Sequence, residues 1–410
     1  MSASHGKTLP MPGDLVVPAG SGWHKLPIIG ALIGVAGIGA AAAMGWSTGR
    51  FAYSYLVAYM YGLSIALGAL FFVIVQAASR AGWSVLVRRI AETLAATLPV
   101  FAILFIPILL NMDTLYHHWL HPEGEGADII LRKASYLNKP FFLIRAGIYF
   151  IVWSGLAAYF YRESTAQDKD GDIQHSRNMQ KWSYPGIALF GLTLTFAAID
   201  WVKSLDPHWF STMWGVYYFA GAVLAFWATL GVLVLLMTRK DSDLFHGTVT
   251  AEHRHDIGKF TFAFVVFWTY IAFSQYFLIW YASVPEETMW FKHHLHGNWQ
   301  DVGYVLIGTH FIVPFLYLMS RHVKRSRVAY GIGAVWVLFA HWIDLYWNAM
   351  PFATENGVMT EHFAFSPVDA LAFVGVLGIL FGTFGALFTR RHIVPIRDPR
   401  LGESVRHENF

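Results

Sequence analysis

Ten blocks of apolar residues, most close to twenty long, divide this chain between residues 26 and 388. A hydrocarbon core about 30 Å thick takes about 20 residues of helix to cross. Backbone polar groups in lipid must be satisfied internally, which leaves only helices or a closed barrel. The apolar runs are continuous instead of alternating, so the barrel is excluded. The blocks fall at 26–44, 53–76, 94–111, 141–161, 184–201, 217–237, 260–281, 302–319, 329–348 and 368–388. Only 13% of the residues are charged, against about 25% in a soluble domain. The expected fold is an all-α integral membrane protein of about ten transmembrane helices. The polar arm 1–25 holds Pro10, Pro12 and Pro18. The Gly/Ala-rich run behind it reads as a first span, since a cleavable signal has a shorter charged head.

Lysine and arginine set the expected orientation. The N-terminal arm, the connections 78–90, 162–183, 238–259 and 320–328, and the C-terminal tail together carry 22 basic residues, and the opposite loops carry 6. The basic side is therefore expected to be cytoplasmic, with both termini on it. The opposite loops are rich in rings: Tyr116, His117, His118, Trp119 and His121, then Trp290, Phe291, His293, His294 and His296. Such rings form an interfacial belt or a surface that docks a partner. The chain has no cysteine, which removes thiolate-held clusters and c-type haem attachment from it. No nucleic-acid footprint, phosphate loop, nucleophile elbow or zinc signature stands out.

Two spans share a signature. Ile199-Asp200 is followed by Pro207, and Ile343-Asp344 is followed by Pro351; both pairs are related by the same interval of 144 residues. The third and seventh spans both run into an acid and then a histidine pair, Asp113 with His117-His118 and Glu286 with His293-His294. Phe150-Ile151-Val152 and Phe311-Ile312-Val313 mark the fourth and eighth. Paired spans run in the same direction, so the repeat is parallel. The expected organisation is a peripheral helix in 26–52, four-helix bundles in 53–201 and 202–348, an outer loop and last peripheral helix in 349–388, and a tail in 389–410.

An ionisable residue inside a span costs about 2.5–3.5 kcal/mol on insertion scales, so each calls for a partner or a function. Asp200 and Asp344 lie at similar depth, roughly 20 Å from the basic end at 1.5 Å per residue. Thr193, Ala197, Asp200 and Ser204 share one helix face, as do His341, Asp344 and Asn348. His341 stands one turn from Asp344, within reach of a proton-carrying pair. Asp200, Asp344, His341 and His310 are thus candidates for a proton path. Against that, Asp200 could pair with Lys203 or Arg145, and Asp344 could cap a neighbouring helix. Arg145 either neutralises an acid or snorkels outward. Pro314 frees the carbonyl of His310, which suits a polar cavity or an ordinary kink. His310 and His341 have matched depths for a b-type haem, but the sequence offers no second pair and His341 already faces an acid. The group Glu252, His253, His255 and Asp256 reads as a solvated loop before it reads as a metal site.

The string from Ala198 to Thr212, AIDWVKSLDPHWFST, resembles one of the two NrfD-like membrane subunits of bacterial alternative complex III, the one regarded as a scaffold. So do Phe273 to Tyr281, Pro285-Glu286-Glu287 with Trp290, and His341-Trp342-Ile343-Asp344. The likeness runs through most of spans two to ten. It implies a membrane subunit of the polysulfide-reductase (NrfD-like) type in a respiratory quinol:electron-acceptor oxidoreductase of the bacterial inner membrane. This chain would scaffold the complex beside a sister NrfD-like subunit, offer a proton path and a candidate quinone contact, and hold no cofactor of its own. Haem c and iron–sulfur clusters would reside in partner subunits. By the resemblance Asp200, His341 and Asp344 carry the function, with Lys203 and Asp206 in the same string as structural residues. The competing reading is a stand-alone secondary transporter or ion channel built from parallel repeats.

Overall fold

The computed structural model describes residues 13, 15–124, 126–355, 358–359 and 362–408. It is an all-α membrane protein. Among the described residues ten helices are long and apolar enough to cross a bilayer: Gly22–Gly45, Arg50–Ser79, Val85–Leu110, Lys139–Asp170, Ile173–Leu205, Trp214–Met237, Ala251–Ala282, Trp299–Met319, Arg327–Phe352 and Pro367–Phe388. Most of the arm, residues 1–12 and 14, lies outside the described residues. Several helices run past their apolar blocks. The fourth and fifth are joined only by Gly171-Asp172, with Gly171 in the left-handed conformation and Asp172 capping the fifth helix through the Gln174 N–H. The third is broken into short pieces where Pro99 and Pro107 cannot donate to the helical ladder.

The second and sixth spans form the centre and are the most buried of the ten. They touch closely: a Cβ on Gly68 would stand 2.4 Å from the Ala222 carbonyl oxygen, and the Tyr218 hydroxyl donates to the Met60 carbonyl at 2.8 Å. The second packs on the third and fifth, and the sixth on the seventh and ninth; across the centre the second meets the ninth and the fifth meets the sixth. That reciprocity is what a parallel duplication about an axis along the membrane normal requires. The fourth span packs on the fifth as the eighth does on the ninth.

The first and tenth spans pack on one another and on the second span. Glycines make the approach: a Cβ on Gly30 would lie 2.5 Å from Gly382 Cα and 2.6 Å from the Gly378 oxygen, the small-residue packing that replaces a hydrophobic driving force in lipid. Arg50, counted among loop cations by hydropathy, is buried in the second span and pairs with Asp369 of the tenth at 2.6 Å, with the Tyr346 hydroxyl 2.7 Å away.

The face carrying both termini is tied together by the tail. Ile393 N–H donates to the Leu15 carbonyl at 2.9 Å. Arg88 bridges Glu92 at 2.9 Å and Asp398 at 2.7 Å, and Arg89 meets Asp168 at 2.5 Å. The expected solvated loop around His253 is instead the first turn of the seventh span. His253 is buried and caps that turn through the Thr250 N–H, its other ring nitrogen meeting the Ser404 carbonyl at 2.9 Å. Asp256 is buried between Lys259 and His407. The apolar signal starts later than the helix does, which is why a hydropathy boundary misplaces this group.

Because the chain lacks cysteine, a disulfide reporter on the peripheral pair is clean. Leu26→Cys with Gly385→Cys, whose β-carbons would stand about 3.0 Å apart, should cross-link after a small adjustment. Gly30→Leu on that background should abolish the cross-link and cost about 1–3 kcal/mol by overpacking, read as earlier thermal unfolding in detergent.

Candidate functional site

In the first bundle, Asp200 is fully buried and fully partnered. Arg145 of the fourth span grips it with two parallel bonds, Nε to Oδ2 at 2.7 Å and Nη2 to Oδ1 at 2.9 Å. Tyr149, one turn along the same helix, donates its hydroxyl to Oδ2 at 2.6 Å. The guanidinium is held in turn by the Tyr136 carbonyl at 2.9 Å and lies over the Tyr136 and Phe141 rings at 3.8 and 4.4 Å. Ser204 donates back to the Asp200 carbonyl, and Thr193 accepts the Trp153 indole N–H at 2.9 Å. Arg145 therefore does not snorkel. A bidentate pair reinforced by further hydrogen bonds is the arrangement in which a buried charge is tolerated.

Asp344 stands at the corresponding place in the second bundle, equally buried, with a different shell. Its Oδ1 accepts from the Tyr217 hydroxyl and from Asn348 Nδ2 at 3.0 Å; its Oδ2 accepts from the Trp268 indole at 3.2 Å. Among the described residues no lysine or arginine reaches it, and the basic groups beside it are the imidazoles of His341 and His310. The sixth, seventh and ninth spans supply this shell, so the carboxyl is satisfied as a hydrogen-bond acceptor without a fixed counter-charge.

His341 and Asp344 are not the hydrogen-bonded pair their spacing suggests. His341 Nδ1 is 3.9 Å from Asp344 Oδ2, beyond a hydrogen bond. Its Nε2 faces Ser64 Oγ of the second span at 3.0 Å, and that hydroxyl donates its proton to the Tyr61 carbonyl at 2.7 Å. Making both bonds at once requires Ser64 to accept from the imidazole, which puts the ring proton on Nε2 and leaves Nδ1 as a lone pair aimed at the carboxyl. Gly221 makes room for the ring: a Cβ there would stand 2.9 Å from Cε1 and 3.2 Å from Nδ1.

His310 completes the group. It is 1% exposed, and its ring stacks on Trp268 at 3.6 Å between centroids. Among the described residues neither ring nitrogen has a hydrogen-bond partner. The helix around it, Gly308–Ile312, is a π turn, with the Val313 N–H reaching back to the Gly308 carbonyl. Pro314 just beyond explains the loosened ladder. One nitrogen each from His310 and His341 and one oxygen of Asp344 lie within 4.8 Å of one another. The duplication accounts for the placement: Tyr149 and His310 both immediately precede the shared Phe-Ile-Val triplet, and each faces the acid of its own bundle.

Two clefts approach this group from opposite directions. One of about 770 Å³ lies between the sixth to ninth spans on the side away from the termini; its polar lining includes Tyr217, Trp268, Gln275 and Asn348, and Phe273, Tyr304 and Ile312 stand exposed at its rim. The other, about 1010 Å³, opens at the terminal face near Arg239, Asp243 and His246 and is walled by Tyr61, Leu338 and Phe381. The Tyr61 ring packs against His341 with centroids 5.3 Å apart.

The remaining candidates stay apart from the group. Lys203 donates to the Asp206 carbonyl at 2.5 Å and lies over the Trp209 ring at 4.8 Å; its ammonium turns away from Asp200. Asp206 accepts the His208 and Trp209 N–H groups, a turn of the chain. Glu286 is exposed, and Asp113 is exposed with His121 at 3.6 Å. His294 in the outer helix Pro285–His294 is buried against Trp290, and burial pushes it down to about 3, so it is neutral at ordinary pH. Tyr217, Trp268, Ser64 and Tyr61 escape a reading of the sequence. Each looks like one more aromatic or small residue of an apolar span, and only the packing gives it a role.

Fold and site define an integral membrane protein with a buried His/His/Asp group in its second bundle. The sequence matches no known family model, and no curated protein is significantly similar to it.

The two acids should respond differently to loss of a partner. Arg145→Met strands Asp200 and should cost about 3–5 kcal/mol; Arg145→Met with Asp200→Leu should recover most of it. Thermal or denaturant unfolding in detergent checks both, and additive losses would show that the pair is not coupled.

Proposed function

We propose that this chain is a membrane subunit of a respiratory quinol:electron-acceptor oxidoreductase of the alternative complex III type. It sits in a bacterial inner membrane with both termini cytoplasmic, and works beside a sister NrfD-like subunit and partners that carry haem c and iron–sulfur clusters. Within it, the Asp344 group relays protons, and the far-side cleft receives a quinone headgroup. The observation that carries this reading is a membrane-buried carboxyl that, among the described residues, has donors but no lysine or arginine beside it, set between two clefts. A carboxyl so placed can exchange a proton without breaking an ion pair, as relays in membranes do. Asp200, clamped by Arg145, serves the first bundle as a structural pair.

The cleft fits the second part of the reading. Its walls are aromatic and aliphatic, its rim faces where acyl chains would lie, and Tyr217, Gln275 and Asn348 offer polar contacts at its inner end. Ligand sites of this kind combine an apolar lining with a few oriented polar groups. Tyr217 and Asn348 both touch Asp344, so a headgroup seated there would be one hydrogen bond from the carboxyl.

The π turn in the eighth span, beside the buried group, favours the transporter reading, since broken helices mark transporter sites. Partners discriminate between the two: the subunit should purify with haem- and cluster-bearing chains, whereas a transporter would be recovered alone. In the assembled complex, Asp344→Asn should reduce quinol oxidation or its proton release about 10²-fold or more, the lower range for loss of a positioned acid–base group. Stopped-flow turnover with a pH indicator checks this, and wild-type rate and proton yield in an assembled Asp344→Asn complex would reject the relay.

A further inference from the structure

The same group carries more than a proton relay requires. A relay needs donors and acceptors in a chain, yet here three acceptor-capable atoms converge. His341 Nδ1 is a lone pair by the Ser64 argument, and among the described residues it has no hydrogen-bond partner. A neutral His310 has one lone pair and one N–H, both likewise unused. Asp344 Oδ2 receives the Trp268 indole at 3.2 Å, a long bond. Leaving a buried polar group unmade costs about 1–3 kcal/mol, and a single shared proton cannot satisfy all of these.

We propose that His310, His341 and Asp344 form a binding site for a divalent first-row transition ion of the zinc type. Two imidazoles and one carboxylate are the donors such ions take, whereas calcium and magnesium prefer shells of oxygen. Ligands at about 2.0–2.1 Å around a tetrahedral ion stand about 3.4 Å apart. The three atoms lie within 4.8 Å of one another, so modest side-chain rotation closes the site. His310 is free to make it, since among the described residues no hydrogen bond holds its ring.

The surroundings are those of a built site. The π turn at Gly308–Ile312 carries His310, and such turns are frequent at functional sites. Gly221 leaves the space that the His341 ring occupies. Ser64 fixes the tautomer that frees Nδ1, and Tyr217, Trp268 and Asn348 orient the carboxyl. Outer partners of this kind hold metal ligands in place. The ligands come from two different helices, a dispersal that no short motif announces. The site stands on its own geometry and does not depend on the quinol reading; a bound ion would occupy the atoms that the relay uses and block it.

The full-length chain, purified in detergent and stripped with a chelator, provides the test with zinc and cobalt(II) as probes. The expected result is one ion retained per chain, a visible ligand-field spectrum for cobalt, imidazole scattering in zinc X-ray absorption, and thermal stabilisation by zinc. His310→Gln and His341→Gln should lose all four signals, and Asn348→Ala should weaken binding about 10–100-fold. His293→Ala, in the outer helix Pro285–His294, should bind as wild type. Size exclusion confirms that each variant is folded. A folded wild-type chain that retains no ion, or a folded His310→Gln chain that retains one with an unchanged spectrum, would overturn the site. Because retention is measured without turnover, it fails or stands separately from the respiratory assignment.

Discussion

Charge in a low-dielectric interior is the constraint around which this molecule is arranged. With 13% charged residues, the chain places few ions inside its helices, and those it keeps there are mostly tied. Arg50 meets Asp369 across the second and tenth spans, Arg89 meets Asp168, Arg88 meets Glu92 and Asp398, and Arg145 meets Asp200. Most of these pairs join segments far apart in the chain or clamp the tail to the bundle, so electrostatic compensation doubles as tertiary connection. Such pairs are weak evidence for net stability, since desolvation offsets much of their attraction, but breaking one is costly. Among the described buried acids, Asp344 departs from that pattern. Asp344 is surrounded by hydroxyl, indole and amide donors instead of a guanidinium or ammonium.

The duplication turns this exception into an internal comparison. The two halves share the depth of the acid, the proline after it and the Phe-Ile-Val triplet on the facing helix. They differ in what the facing helix offers. The first half presents Arg145 and Tyr149, the second His310 on a π turn. The same scaffold thus holds one carboxylate as half of an ion pair and another in a neutral shell. A group that must change protonation is better served by the second arrangement, because proton gain there leaves no stranded guanidinium.

The spans, their number and their parallel repeat are legible in the sequence because they depend on averages over some twenty residues. The matching places of the two acids follow from the same repeat. What one-dimensional reading misses belongs to packing between spans. His341 and Asp344 share a helix face one turn apart, so a pair is the natural expectation, yet Ser64 of the second span turns the imidazole and opens a 3.9 Å gap. Arg145, Lys203 and Asp200 offer two pairings; the helix–helix geometry selects Arg145, and Lys203 turns to its own chain. Helix ends are misjudged where polar turns extend beyond the apolar block, which places His253 and Asp256 in solvent when the tail in fact covers them. Hydropathy measures what a segment would meet in lipid and is blind to what another segment brings.

The placement of the two clefts gives this asymmetry a direction. The far-side cleft ends on Tyr217, Trp268 and Asn348, the donors to Asp344, and the terminal-face cleft ends on Tyr61, whose ring packs against His341. Between them stand the imidazoles and the carboxyl, on helices that the central second and sixth spans hold in register. In the first bundle, Tyr136, Phe141 and Tyr149 close over the ion pair at Asp200. A duplicated fold would by symmetry offer two equivalent polar centres. Filling one with a guanidinium and its aromatic cover leaves the other as the centre that the clefts approach, Tyr217, Trp268 and Asn348 standing between it and the far-side cleft and Tyr61 between it and the terminal-face cleft.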